Sequence, residues 1–364
     1  MNQNNLFSLP LAIAVLGSFL LSSCTSFGSH TVARDRFDYN TAIANSWKEQ
    51  TLLNIVKLRY ADMPLFVEVA SIVNSYSLEG SVALGGTLSS SGAIQRDFFS
   101  FGTAAKYTDR PTITYVPITG QQFNKNFMTP IPPRAVLFLM QSGWPVDLIF
   151  PITVDAINGL RAEVTAGANA RQGDSDYYRV ITLLRKLQKA GAVGMQIVKG
   201  KNNQDATIMF FYRRELTAEI VRTLREIETI LGLKAGVREL KVTYGLFPKS
   251  DSEVALLTRS MLHIMIRLAT LVSVPSEHVT EGRTVPSLAL NSGIKEDSGR
   301  LIEISHSTEK PEDAFTAVRY RDYWFWIDDR DFKSKRTFAF LMILFSLTET
   351  GGKAGLPLVT IPAS

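Results

Sequence analysis

DSDYYRVITLLRKLQKAG, residues 174–191, and the blocks that follow it decide the fold class. Val180, Leu183, Leu184 and Leu187 recur at the spacing of one helix face, and Gly191 stands where a helix ends in the left-handed conformation. Two strand-like runs come next, AVGMQIV at 192–198 and ATIMFFY at 206–212. In LTAEIVRTLREIETIL, residues 216–231, the apolar residues Leu216, Ile220, Leu224, Ile227 and Leu231 form a second helical stripe, stopped by Gly232. Leu240, Val242 and Tyr244 then alternate along a further strand. Helix, hairpin, helix and strand in separate blocks predict an α+β protein, with mixed or antiparallel sheets packed with amphipathic helices in two lobes.

Toward the C-terminus, Asp251 to Val274 reads as one long helix, nearly apolar from Met261 but interrupted by Arg267, and so too charged to span a bilayer. The polar stretch Pro275 to Arg300 is long for a loop and reads as a lid or a disordered segment. Strands are expected at Leu301 to Ser307, Phe315 to Tyr320 and Tyr323 to Ile327, the last two joined by a turn at Arg321 and Asp322. A helix from Asp331 to Thr348 and a strand from Leu356 to Ile361 complete the chain. This repeats the earlier order, and Gly232, Lys234, Ala235 and Gly236 recur as Gly351, Lys353, Ala354 and Gly355. The C-terminal lobe, residues 166–364, therefore carries a hint of internal duplication.

Toward the N-terminus, the boundary is placed in Ala166 to Ser175, rich in Ala, Gly, Asn and Asp. The lobe before it, residues 40–165, opens with a helix capped at Asn40 or Thr41 and ended by Pro64. Leu52, Leu53, Val56 and Tyr60 lie on one side of that helix and Ile43, Trp47, Ile55 and Leu58 on the other, so both faces are expected to be covered. Leu65 to Ile118 turns to β-branched, aromatic, Gly and Ser residues. Phe99, Phe101, Thr103, Ala105 and Tyr107 keep period two, which fits two long strands separated by Gly85 to Gly92. Prolines then crowd between Pro111 and Pro151. They predict irregular surface chain with one short helix from Arg134 to Gln141.

The apolar run Leu6 to Leu21 is shorter than the about 20 residues a spanning helix needs, and Ser8, Pro10, Gly17 and Ser18 break it. Leu21, Ser22, Ser23 and Cys24 close it in the manner of a lipobox. The stretch resembles the signal peptides of bacterial lipoprotein precursors, which are cleaved before a cysteine that then carries lipid. One departure is that no Lys or Arg precedes the apolar run, the first charged residue being Arg34. A plain secretory signal is the other reading. The chain has a single cysteine, at the one position a lipobox requires. Residues 1–23 are thus read as a signal peptide and 24–39 as a lipidated tether, palmitate-bearing at Cys24. Thr25, where Asp would favour retention in the inner membrane, places the protein on the outer membrane, facing the periplasm.

Hydrophobic residues at 45% and charged residues at 20% describe a globular chain. The net charge of +5 is spread without a basic run, so no nucleic-acid partner is expected. The four histidines, His30, His263, His278 and His306, fit no metal-ligand spacing. His263 reads as a core or boundary residue and His306 as a strand end. Ser307 to Lys310 and Ser292 to Lys295 match S-x-x-K, but the companion motifs of that chemistry are absent. No cofactor is implied.

One stretch is denser in chemistry than its surroundings: Tyr320, Tyr323, Trp324, Phe325, Trp326 and Ile327, then Asp328, Asp329, Arg330 and Asp331, then Lys333 to Arg336. Tyr323, Trp324 and Trp326 beside Asp328, Asp329 and Asp331 read as a sugar-stacking platform next to a carboxylate or metal site. They read equally as a core strand whose acids cap the following helix. The stretch resembles a family of Gram-negative lipoproteins to which no activity is assigned, and that resemblance implies no catalytic residue. The leading expectation is a non-catalytic envelope lipoprotein that scaffolds, assembles or binds, held to the membrane through Cys24 and partnered by another envelope protein. A periplasmic hydrolase or glycan-binding protein using Tyr320 to Asp331 is the alternative, and a contribution of the Leu65 to Ile118 strands to an oligomeric pore is a third.

Overall fold

The computed structural model describes residues 27–87, 98–164, 171–199, 205–211, 217–286 and 301–348. Cys24, Ser292, Lys295, Gly351 to Gly355 and the expected strand at 356–361 lie outside them. The chain divides into two units, Met1–Lys48 and Glu49–Ser364. The protein is α+β, with mixed and antiparallel sheets.

Helix α1, Phe27–Arg59, begins within the stretch read as a tether, and the expected caps at Asn40 and Thr41 are interior to it. No proline and only Gly28 stand between residues 27 and 40, so nothing stops the helix from propagating through them. In the first unit its side chains are mainly exposed from Val32 onward, which corrects the expectation of two covered faces for Ile43. In the second unit Leu52, Ile55 and Val56 are fully buried.

Beyond it, β1 (Val67–Val73), β2 (Tyr76–Thr87), β3 (Phe98–Asp109) and β4 (Thr112–Pro117) form one antiparallel ribbon. β1 pairs with β4 from Val67↔Pro117 to Val73↔Thr112, and β2 with β3 from Tyr76↔Asp109 to Thr87↔Phe98. The two long arms are as the sequence predicts. The glycines at 85 and 86 belong to the strand instead of separating the arms, pairing with Ser100 and Phe99.

The short helix expected from Arg134 to Gln141 is present, but the rest of the proline-rich stretch is not the irregular surface chain expected. Helix α2 (Gly120–Phe123) runs into a π-helical turn at Asn124–Met128, and α3 (Pro133–Gln141) and α4 (Val146–Thr153) follow. Pro133 opens α3 and Pro145 precedes α4, positions where the missing N–H has no intrahelical partner to lose. Val136, Leu137, Met140, Ile149 and Phe150 are core residues.

The six-stranded sheet has the order β6 (Leu160–Arg161), β5 (Val154–Ile157), β10 (Glu253–Thr258), β9 (Glu239–Tyr244), β8 (Asp205–Phe211), β7 (Val193–Lys199), all antiparallel except β9 with β10. Strand β5, which precedes the expected boundary at 166–175, bonds to β10 well beyond it and carries β6 on its other edge. Helices α5 (Ser175–Lys189) and α6 (Ala218–Ile230) bury Val180, Leu183, Leu184, Leu187, Leu224 and Ile227 as their stripes require, and Gly191 and Gly232 end them at φ 62° and 64°.

The long helix expected from Asp251 is instead β10 followed by α7 (Met261–Ala269). In β10, Glu253, Val254, Ala255, Leu256 and Thr258 are all buried, so the strand is covered on both faces and shows no period. Ser260 caps α7 by accepting from the His263 amide at 3.2 Å. Within the expected lid, α8 (Ser276–Thr280) is ordered secondary structure, and residues 287–300 lie outside the described chain.

A three-stranded antiparallel sheet, β11 (Ser305–Ser307), β13 (Tyr323–Asp328) and β12 (Ala314–Tyr320), precedes α9 (Phe332–Thr348). Arg321 and Asp322, at φ 48° and 68°, make the expected two-residue turn. In the second region α8 and β11 stand between α7 and the β12–β13 hairpin, so the two regions do not share one element order.

Candidate functional site

Strand β13 is the centre of its sheet, and its alternation divides the aromatic stretch. Phe325 and Ile327 are fully buried, while Trp324 and Trp326 lie half-buried on the opposite face, aligned with Asp328. Lys310 Nζ stands 5.4 Å from the Trp324 ring centre, so that indole already holds a cation. The Trp326 Nε1 is buried and has no hydrogen-bond partner among the described residues. Tyr323 faces the other way and donates to Glu277 Oε1 at 2.8 Å, a bond that holds its phenol above the usual range.

Each of the three acids makes a structural bond. Asp328 Oδ1 accepts from the Arg330 amide at 2.8 Å, closing a turn. Asp329 accepts from Lys335 Nζ at 2.7 Å. Asp331 immediately precedes α9, and its Oδ1 accepts from the Ser334 amide at 3.0 Å, the geometry of an N-cap; its other oxygen accepts from the Ser334 hydroxyl. Burial raises the Asp331 pKa, but these bonds together with the Lys333 amide outweigh it and leave the carboxyl below its ordinary value. Asp329 also borders a shallow depression with Glu312, Asp313 and Arg330, where Arg330 pairs with Asp313. Among the described residues no group of three or more His, Cys, Asp or Glu side chains is placed to hold a metal ion.

The S-x-x-K serine at Ser307 ends β11 and donates to the Glu309 carbonyl at 2.7 Å. Its lysine is the one over Trp324, so the two do not form a nucleophile and base. His263 is exposed, and His306 lies within β11, where burial lowers its pKa.

Sequence reasoning missed two polar arrangements. In the first, the Tyr60 hydroxyl and His278 Nδ1 meet at 2.8 Å, with Tyr320, Tyr323 and Phe325 around them. His278 is buried, and burial pushes the Tyr60 pKa up to about 12. Tyr320 donates to Asp62 Oδ2 at 2.9 Å, the main reason that carboxyl titrates low. Positions 60, 278 and 320 are too far apart in the chain for any spacing to announce them. This packing ties the end of α1 to α8 and to the three-stranded sheet.

In the second arrangement, Gln50 and Asn54, one helical turn apart on α1, grip alternate residues at the root of the ribbon. Gln50 accepts from the Val67 amide at 2.6 Å and donates to its carbonyl at 3.1 Å. Asn54 accepts from the Leu65 amide at 2.9 Å and donates to its carbonyl at 2.8 Å. Two carboxamides thus stand in for a neighbouring strand. Phe66 between them stacks on Phe127 with ring centres 4.2 Å apart. Amides within the buried part of a helix were the available signal.

Above this root the ribbon is open. Every residue of β4 is exposed, as are Val82, Phe101 and Tyr107. Tyr76 and Tyr107 stack across the ladder with ring centres 6.3 Å apart. Among the described residues β2 and β3 pair with each other and with no third strand. No helix of the described chain is long and apolar enough to cross a membrane. No protein-family model matches this chain, and neither does any curated protein or solved structure.

Proposed function

We propose that the protein is a lipid-anchored lipoprotein of the bacterial outer membrane, facing the periplasm, that acts by assembly and not by catalysis, with the ribbon of residues 67–117 as its working surface. The observation that carries this reading is the contrast between the two candidate surfaces. The acids of the aromatic stretch are occupied in turns, an ion pair and a helix cap. The ribbon is gripped at its root by dedicated amides and then projects exposed apolar side chains, Val82 and Phe101 among them, on two strands that pair with no third strand among the described residues. An isolated two-stranded ribbon is at best marginally stable in water, so such a surface implies a partner in the assembled state. The anchor at Cys24 supports membrane attachment from the sequence side, through the lone cysteine at the end of the apolar run.

Labelled palmitate tests the anchor. The wild type should incorporate it and Cys24→Ser should not; equal incorporation would remove the anchor and the location together. Purification from native membranes tests the mode of action, with a stoichiometric complex expected and a lone monomer contradicting it. The alternative of glycan binding is favoured by one feature, the shared half-exposed face of Trp324, Trp326 and Asp328. Loss of function in a normally folded Asp328→Asn variant would establish it over assembly.

A further inference from the structure

Within the ribbon, β2 and β3 differ from the segment at the root. Their register runs from Tyr76↔Asp109 to Thr87↔Phe98 without a bulge, and neither strand contains proline. Only Glu79, Lys106 and Asp109 are charged. Soluble proteins protect exposed edges with bulges, prolines or charges. These two edges have little of that protection.

The alternation across the pair is consistent. Val82, Phe101, Tyr76 and Tyr107 share one face with Thr103 and Ala105, and the charged Asp109 stands on it only at the root end, opposite Tyr76. The other face carries Ser77, Glu79 and Ser81 against Thr108, Lys106 and Ala104, with Glu79 directly opposite Lys106. On the apolar face the aromatic positions fall toward the two ends, Tyr76 and Tyr107 near the root and Phe101 toward the tip. Each strand has 12 residues. At about 3.4 Å per residue that is about 40 Å, which at a tilt of about 45° covers about 29 Å, the depth of a bilayer's hydrocarbon core.

From these features we infer that β2 and β3 form a membrane-spanning hairpin, and that copies of this chain pair edge to edge through them to close a β-barrel with the Val82 and Phe101 face toward lipid and the Ser81 and Ala104 face toward a water-filled lumen. Apolar-out and polar-in alternation, aromatic girdles and strands of this length are the requirements of such a barrel. Closure also satisfies the open edges, which no hairpin can do alone in lipid. One pair of strands per copy is too few to close, so the barrel is necessarily oligomeric. This inference rests on the reading of the ribbon as the working surface.

The test uses single cysteines in the full-length protein in open membrane fragments, probed with a membrane-impermeant maleimide. Cys24 carries lipid in the proposed reading, so the wild type should not be labelled; a labelled wild type would count against the anchor alone. Ser81→Cys and Ala104→Cys should label, whereas Val82→Cys and Thr103→Cys should be protected. Equal labelling at all four positions overturns the inserted hairpin. If the complex still depends on the ribbon in that case, assembly stands and insertion falls. A second pair of variants removes dependence on one chemistry. Val82→Lys should lose the membrane-embedded oligomer and Ser81→Lys should keep it, with the same melting of the remaining domain in both. Equal behaviour of the two lysines also overturns the inference.

Discussion

Asp331 is where the sequence posed a choice between site and structure, and the geometry takes one side of it. Its carboxylate accepts from the amide three residues on, at the start of α9. Asp331→Ala should therefore cost about 0.5–2 kcal/mol, while Asp331→Asn, which caps nearly as well, should cost much less. Thermal melts of the pair check this, and equal losses would mean that the charge matters more than the cap. Because the folded pKa of Asp331 is lowered, its contribution is present above the ordinary carboxylate range and is lost as pH falls through the folded value. The Asn variant should lose less stability than wild type on acidification. Tyr60 gives the opposite dependence. Burial raises its pKa to about 12, so the unfolded chain releases the proton first, near its ordinary value of about 10. Stability is complete below pH 10 and falls as pH rises toward 12. Tyr60→Phe, though less stable at neutral pH for want of the His278 bond, should show a shallower decline over that window, and an unchanged decline would contradict the burial argument.

Among elements, the root of the ribbon makes the sharpest demand. Asn54 bonds both backbone groups of Leu65, which is itself partly exposed, so water replaces part of what Asn54→Ala removes. The expected cost is about 1 kcal/mol, and the expected signature is faster amide exchange at Leu65 with α5 and α6 unaffected. Unchanged exchange would show that the ribbon is held by Phe66 and its ring contacts instead. What was legible in the sequence at this scale follows from period. Helices α5 and α6 each bury one stripe, and β7, β8, β12 and β13 pair in hairpins with short links, so their patterns were clear. Strand β10 was not legible because it is buried on both faces and continues into the apolar α7, so no change of period marks the junction at Ser260. Helix α3 was legible as the short helix Arg134 to Gln141, whereas α4 was hidden by Pro145 just before it and Pro151 within it. Of the candidate site, the aromatic strand and its capping acid could be read locally, whereas the contact of Tyr60 with His278 joins residues that only the fold brings together.

At the scale of the whole molecule, Glu49–Ser364 comprises a packed α+β body and a ribbon that leaves it. The body contains a fully buried Arg259, whose guanidinium donates to the Pro151 and Ile152 carbonyls at 2.9 and 3.0 Å and pairs with Asp155 at 3.0 Å. The central claim is that the ribbon is what the protein uses. It is tested most directly by crosslinking in native membranes, comparing wild type with a chain in which residues 80–105 are replaced by an asparagine–glycine turn joining the opposed pair Glu79 and Lys106. The account predicts high-mass crosslinked species for wild type and only monomer for the shortened chain, at equal membrane abundance and equal melting of the body. The same crosslinked ladder from both would contradict it.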